Sequence, residues 1–296
     1  MKRGTRVFIL KKALELLLTL LIVTMISFIL MQLSPIDAAE AYARRNAFAI
    51  TPESLATLRE QMGLNDPLPV QYWNWVKDAV HLDFGTSYTN GRDVFQEVTQ
   101  AFSITATIVL LTAVVQAIGS LIVGCVCYWT RSNWVGTSFL DVFAVQLQWI
   151  NVAGNTGLMR YLPAALCLSV SGMAFFGQLL AGGVQRGMNE DSAFYARCRG
   201  LTERRIMLHH ALPQAVSGLL PNFMQMMGLC MAGSMIVERI FSLPGLGYLI
   251  IDSVLYRDNP MIHATILFLA FSLVFFNIVS DVIQRVLRGG GREVTA

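Results

Sequence analysis

The sequence predicts an all-α, polytopic transmembrane helix bundle. Of 296 residues, 54% are apolar and only 14% are charged, a balance that belongs to membrane proteins rather than soluble domains. The charges are also clustered: 98–130, 161–185, 211–237 and 259–280 carry none, and 13–33 carries only Glu15. Each run matches or exceeds the ~20 residues that cross hydrocarbon as a helix. Thirteen of the 22 Lys and Arg residues fall in three groups between and beyond these runs. One is amino-terminal (Lys2, Arg3, Arg6, Lys11, Lys12), one lies at 186–205 (Arg186, Arg197, Arg199, Arg204, Arg205), and one is in the tail (Arg285, Arg288, Arg292). The positive-inside rule assigns all three to the cytoplasm.

About six spans follow. Span 1 (13–33) continues for too long to be a signal-peptide core, so it reads as uncleaved. Residues 34–97 carry five basic against nine acidic side chains and form an extracytoplasmic region. Within it Thr51-Pro52-Glu53 starts a helix that runs to about Met62, with Thr51 as cap and Pro52 at N1. Asn65-Asp66-Pro67-Leu68-Pro69 is a break. Residues 70–80, with Tyr72, Trp73 and Trp75, make an amphipathic helix suited to a membrane interface. Span 2 lies within 102–128, span 4 at 161–184, span 5 at 216–237 and span 6 at 261–284. With both termini inside, the number of crossings is even, which requires a third span between Arg131 and Arg160. Its apolar stretch, 134–150, is short and carries Asp141. The 19 residues between Arg131 and Asn151 give about 28 Å of helix, barely one bilayer core. The chain thus divides into 1–33, 34–97 and a transmembrane core 98–296, the core holding a cytoplasmic loop at 189–213.

That loop is a polar island between apolar runs. Asp191 or Ser192 caps a helix from about Ala193, Gly200 turns the chain, and a second helix begins at Thr202-Glu203. On it Ile206, Leu208 and Ala211 alternate with Arg204, Arg205, His209 and His210, and Pro213 marks the approach to span 5. His209 and His210 are adjacent, so they lack the i, i+4 spacing of a helical metal pair. Cys125 and Cys127 point to opposite sides of their helix. The methionines at 224, 226, 227, 231 and 235 read as core filler. His263 reads as a satisfied interfacial histidine, with cargo contact as the alternative. None of the five cysteines falls in 34–97, which excludes a disulfide framework there. Small-residue pairs Ser120/Gly124, Gly177/Ala181 and Gly228/Ala232 permit close helix approach.

Phe194-Tyr195-Ala196, three residues, Gly200, nine residues, His210, one residue, Leu212-Pro213 resembles the "EAA" loop of binding-protein-dependent ABC importers, with Ala196, Gly200, Leu212 and Pro213 as strict matches. The blocks 63–72 and 82–87 resemble the external region of the first permease of dipeptide, oligopeptide and nickel importers. Residues 144–149 resemble the end of their third span, and 236–247 with 257–260 resemble the block after their fifth. The chain departs from that pattern before Ala144, where about one span's worth of sequence is missing, ~20 residues. It also departs at Ser34-Pro35-Ile36-Asp37 and at Leu287-Arg288-Gly289-Gly290.

The resemblance implies an inner-membrane permease subunit forming half of a pathway for peptides or nickel chelates. It implies a homologous second permease, two ATPase subunits and an extracytoplasmic binding protein that sets specificity. Tyr195, Ala196, Arg197, Gly200, Glu203, Leu212 and Pro213 would form the loop that couples to the ATPase. Asp141, Glu238, Pro244, Gly245 and Asp258 are candidates for pathway or binding-protein contact. The sequence contains no phosphate-binding Gly-x-x-x-x-Gly-Lys-Ser/Thr, so ATP would be used by the partners. Neither a catalytic nor a metal constellation is visible, and the chain is expected to bind no cofactor. The alternative is a self-contained secondary transporter or channel, which would place ionisable residues and broken helices near the midplane.

Overall fold

The computed structural model describes residues 2–33, 38–45, 51–130 and 157–290. Helices α1 (Lys2–Gln32), α2 (Ala38–Arg45), α3 (Pro52–Gln61), α4 (Leu68–Val80) and α5 (Val94–Thr130) come first. A 3-10 turn at Gly157–Arg160 leads to α6 (Leu162–Met188), α7 (Asp191–Cys198) and α8 (Glu203–Ile206). A π turn at Met207–Ala211 then joins α8 to α9 (Leu212–Ile240), which is followed by α10 (Leu246–Tyr256) and α11 (Asn259–Gly290). Among the described residues the only extended pairing is one isolated bridge between Thr86 and Asp93.

Among the described residues, five stretches are long and apolar enough to cross a membrane: Leu10–Met31, Val94–Trp129, Leu162–Met188, Glu203–Ile240 and Asn259–Leu287. They correspond to expected spans 1, 2, 4, 5 and 6. The third crossing at 134–150, with Asp141, lies outside the described residues. The chain forms two compact units, one of 1–105 with 238–274 and the other of 106–237 with 275–296.

In the first unit, α3 begins as its sequence predicts. Thr51 accepts from Ser54 N–H at 3.2 Å, Ser54 accepts from Thr51 N–H at 3.1 Å, and Pro52 opens the helix. α4 starts at Leu68, two residues before the expected Val70. Pro69 in the first turn has no N–H to leave unpaired, so the helix can begin ahead of it. The Tyr72 hydroxyl ties α4 to α1, donating to Leu21 O at 2.9 Å and lying 3.1 Å from Thr24 Oγ1. Phe84, Val94, Val98, Leu246, Met261 and Ala264 form the buried core beside them. α2 and α10 have no counterpart among the expected elements.

The second unit is built on glycine. A Cβ on Gly177 of α6 would lie 2.6 Å from Val123 Cγ1, and one on Gly124 of α5 would lie 3.1 Å from Gly177 O. The two helices therefore meet backbone to backbone, the contact that small-residue pairs permit in lipid. Gly172 likewise leaves room for Gln116, which is 0% exposed and whose amide nitrogen and oxygen have no hydrogen-bond partner among the described residues.

Candidate functional site

The expected coupling residues all lie in one local assembly of the second unit. α7 starts at Asp191 rather than near Ala193, and neither Asp191 nor Ser192 is its cap. The N-cap is Glu190, in extended conformation and without a side-chain capping bond. Its carboxylate accepts instead from Gln214 Nε2 at 2.7 Å, while Asp191 faces the helix N-terminus, where negative charge is favoured.

The end of α7 is a Schellman motif. Gly200 adopts φ +80, its N–H donates to Arg197 O at 2.9 Å, and Leu201 N–H donates to Ala196 O at 3.2 Å. A Cβ on Gly200 would meet nothing within 4 Å, so glycine is required by the left-handed backbone and not by space. Across this turn the Arg197 guanidinium grips Glu203 with two bonds, 2.7 and 3.2 Å. Ala193 and Ala196 are buried against Ile206, Met207 and Ala211, with Leu212 packed alongside. Phe194 and Tyr195, on the opposite face, are each 67% exposed. Arg204 lies over the Trp129 ring, 5.6 Å from its centroid.

Two expectations for this segment change. Met207, not Leu208, joins the buried face; Leu208 is exposed. The second helix does not end before span 5 but runs into it through the π turn, where Leu212 N–H reaches back five residues to Met207 O. Pro213 has no N–H for the carbonyl of His209, so an ordinary α turn here would lose a bond anyway. Widening the turn by one residue keeps the helix continuous across it. His209 and His210 are exposed. No group of three or more His, Cys, Asp or Glu side chains able to hold a metal occurs among the described residues.

The other described candidates, Glu238, Pro244, Gly245 and Asp258, belong to the first unit. Glu238 is 0% exposed. It accepts from the Thr105 hydroxyl at 2.8 Å and from the N–H groups of Gly247 and Tyr248 at 2.7 and 3.2 Å. Thr105 in turn accepts from Leu246 N–H at 2.8 Å. Together the two side chains satisfy the free N-terminal amides of α10, a need every helix start has. Gly245 precedes α10, and a Cβ there would sit 2.6 Å from Thr105 Oγ1. Pro244, beside it, is exposed. Arg239 pairs with Asp252 at 2.7 Å and stacks over Tyr248.

Asp258 is buried before the first turn of α11. It accepts from the Ser87 hydroxyl and from the N–H groups of Tyr88 and Thr89 at 3.2 and 3.1 Å. Burial, and secondarily the Asp258 charge, push the Tyr88 phenol up to about 12. Glu238, from the last turn of α9, and Gly245 thus shape the start of α10, Asp258 holds the turn at 87–89, and Asp141 lies outside the described residues.

His263 lies 2.8 Å from Ser27 Oγ and stacks on Phe28, with centroids 3.8 Å apart, which fits the satisfied-histidine reading. Sequence reasoning passed over Thr105, Ser27, Gln116 and Leu201. The first three are single polar residues inside apolar runs, with no local pattern to mark them. Leu201, following the turn glycine, carried a readable signal in the Schellman rule.

Residues 84–290 match the family described as binding-protein-dependent transport system inner membrane component. Residues 5–109 match the N-terminal family of such membrane components. The glutathione transport system permease protein GsiC of Salmonella choleraesuis strain SC-B67 is 29% identical over 295 residues, covering 93% of this chain and 95% of its own length. GsiC of Escherichia coli strain K12 is 28% identical at the same coverage. A solved amino acid ABC transporter chain is 18% identical with TM-score 0.46, covering 67% of this chain and 94% of its own. With well over half its length matched, the chain belongs to the family of inner-membrane components of binding-protein-dependent transport systems, and it is the permease subunit of an ABC importer rather than a self-contained carrier or channel.

Proposed function

We propose that residues 189–213 face the cytoplasm and seat in a groove of an ATPase subunit, and that both termini lie on that side. A homologous second permease completes the pathway, and two ATPase subunits bind and hydrolyse ATP, so that this chain needs no cofactor of its own. A loaded binding protein docks on the other face, where residues 34–97 lie. Pro244 offers a contact there, on a turn that Glu238 and Gly245 hold in shape. Closure of the ATPases tilts the two permeases outward, to the extent that ATP and loaded binding protein favour that state. Short peptides are the cargo class favoured by the similarity to the glutathione permeases.

The observation that carries this reading is the preorganised knob at α7–α8. The Schellman turn, the Arg197–Glu203 grip and the buried alanines fix it from within, leaving Phe194 and Tyr195 outward. Exposed aromatics on a rigid helix are the residues that dominate docking energies. The test replaces both by Ser in the assembled transporter. Their side chains make no part of the buried core, so membrane insertion should be retained. Recovery of the ATPase with the permease, and cargo uptake, should fall about tenfold or more. Gly200→Val, which forces a β-branched residue to positive φ, should act likewise. Wild-type uptake in the double Ser variant would sink the assignment.

A further inference from the structure

α4 belongs to the segment that charge balance places outside the membrane, yet its contacts reach deep along a spanning helix. The Tyr72 hydroxyl donates to Leu21 O at 2.9 Å. Tyr72 and Trp75 both meet Phe28 edge-on, with centroids 5.4 and 5.5 Å apart. Leu21 lies ten residues inside Met31, the end of the apolar stretch Leu10–Met31 that is farther from Lys11 and Lys12. At 1.5 Å per residue that is a depth of about 15 Å, half of a ~30 Å hydrocarbon core. A tyrosine side chain spans about 6–7 Å, so the α4 backbone at Tyr72 still lies roughly 8 Å inside that end.

The surface of α4 suits such a depth, because it is divided three ways. Trp75 and Ala79 pack on the core of the first unit. Gln71, Asn74 and Asp78 line a cavity of about 700 Å3. Val70, Trp73 and Val80, exposed by 44, 58 and 76%, share the remaining side. The charge on that side, Lys77, holds its ammonium 5.8 Å over the centroid of the Trp73 ring, as a lysine leaving hydrocarbon does. A lone exposed apolar side chain is ordinary; a stripe kept apart from the polar side of the same helix fits an apolar medium. On α1, Ile22, Met25 and Ile29 are likewise exposed, and they form the stripe adjoining the one that holds α4. We propose that α4 is sunk in the bilayer, in the leaflet away from Lys11 and Lys12. Val70, Trp73 and Val80 then lie against acyl chains, while Gln71, Asn74 and Asp78 face the water of the cavity. This placement holds for either orientation of the chain.

The test uses the whole transporter, this chain with its partner permease and ATPases, in lipid nanodiscs. Val70→Cys and Asn74→Cys, one helical turn apart and both at exposed positions, are treated with a charged, membrane-impermeant maleimide, and modification at each position is read by mass spectrometry. The reactive thiolate forms in water and is suppressed in apolar surroundings, so Asn74→Cys should react at least about tenfold faster. The fluorescence lost in Trp73→Phe isolates one of the five tryptophans. That emission should be quenched by phosphatidylcholine brominated midway along its acyl chains and not by iodide. Equal maleimide rates at the two positions, or Trp73 emission quenched by iodide alone, overturns the placement. Fast reaction of Val70→Cys that added binding protein suppresses also overturns it, and makes the stripe a docking surface for protein.

Discussion

Replacing Glu238 tests whether a buried carboxyl group holds the start of α10. In Glu238→Ala the N–H groups of Gly247 and Tyr248 and the Thr105 hydroxyl lose their acceptor together. Hydrogen bonds to a charged group contribute about 1.5–3 kcal/mol each. The three are not additive, and the Tyr248 bond is the longest. A loss of about 3–5 kcal/mol is therefore expected, since each buried donor left without an acceptor costs about 1–3 kcal/mol. Glu238→Gln keeps one acceptor oxygen for the two amides but turns an NH2 toward Thr105, so about 1–2 kcal/mol is expected. Amide hydrogen exchange read by mass spectrometry on peptides covering 245–250 resolves the difference. Protection should fall about a hundredfold or more in the Ala variant and about tenfold in the Gln variant. Wild-type protection in Glu238→Ala, or a greater loss in Gln than in Ala, would refute the reasoning.

The glycine contact between α5 and α6 predicts that Gly177→Leu, which drives a side chain into Val123, lowers stability by about 1–3 kcal/mol or more. Gly182→Leu, at a position with nothing within 4 Å, should be far milder; melting of the purified transporter compares the two. Asp258→Asn should loosen the 87–89 turn and move the Tyr88 phenol down from about 12 toward its ordinary 10.0. It should stop short of that value, because burial is the larger cause. Tyrosinate absorbance during an alkaline titration reads this, and an unmoved titration would show that the Asp258 charge does not reach Tyr88.

The spans were legible because each is an apolar run bounded by charge, a property of composition rather than of packing. Thr51-Pro52 was legible because a cap is a local pattern. The coupling segment was legible in outline, since Gly200 and Leu212-Pro213 punctuate the chain. Its first cap was misassigned because Glu190, Asp191 and Ser192 are all polar, and the choice was made by Gln214, 24 residues away. The partners of Glu238 and His263 could not be read at all. Thr105 and Ser27 lie 133 and 236 residues from them, and nothing in an apolar run announces such a contact. α10 escaped because its 11 residues are apolar yet too short to register as a crossing. Met207 was missed because the alternation of Ile206, Leu208 and Ala211 is not a helical one; Met207, Ala211 and Ala215 recur every four residues, the spacing of one buried helix face.

That widened turn makes chain length a rotational setting. A π turn is an α-helix with one residue added, and one residue turns a helix by about 100°. The widened turn takes up that extra residue within one turn, so removing a residue from Met207–Ala211 would let it close as ordinary α-helix, whereas a deletion in regular helix on either side would swing the face of α8 that carries Arg204 and Arg205 by about that angle. The aim of the segment toward whatever it meets is thus written in the count of residues between Glu203 and Leu212 as much as in their identities.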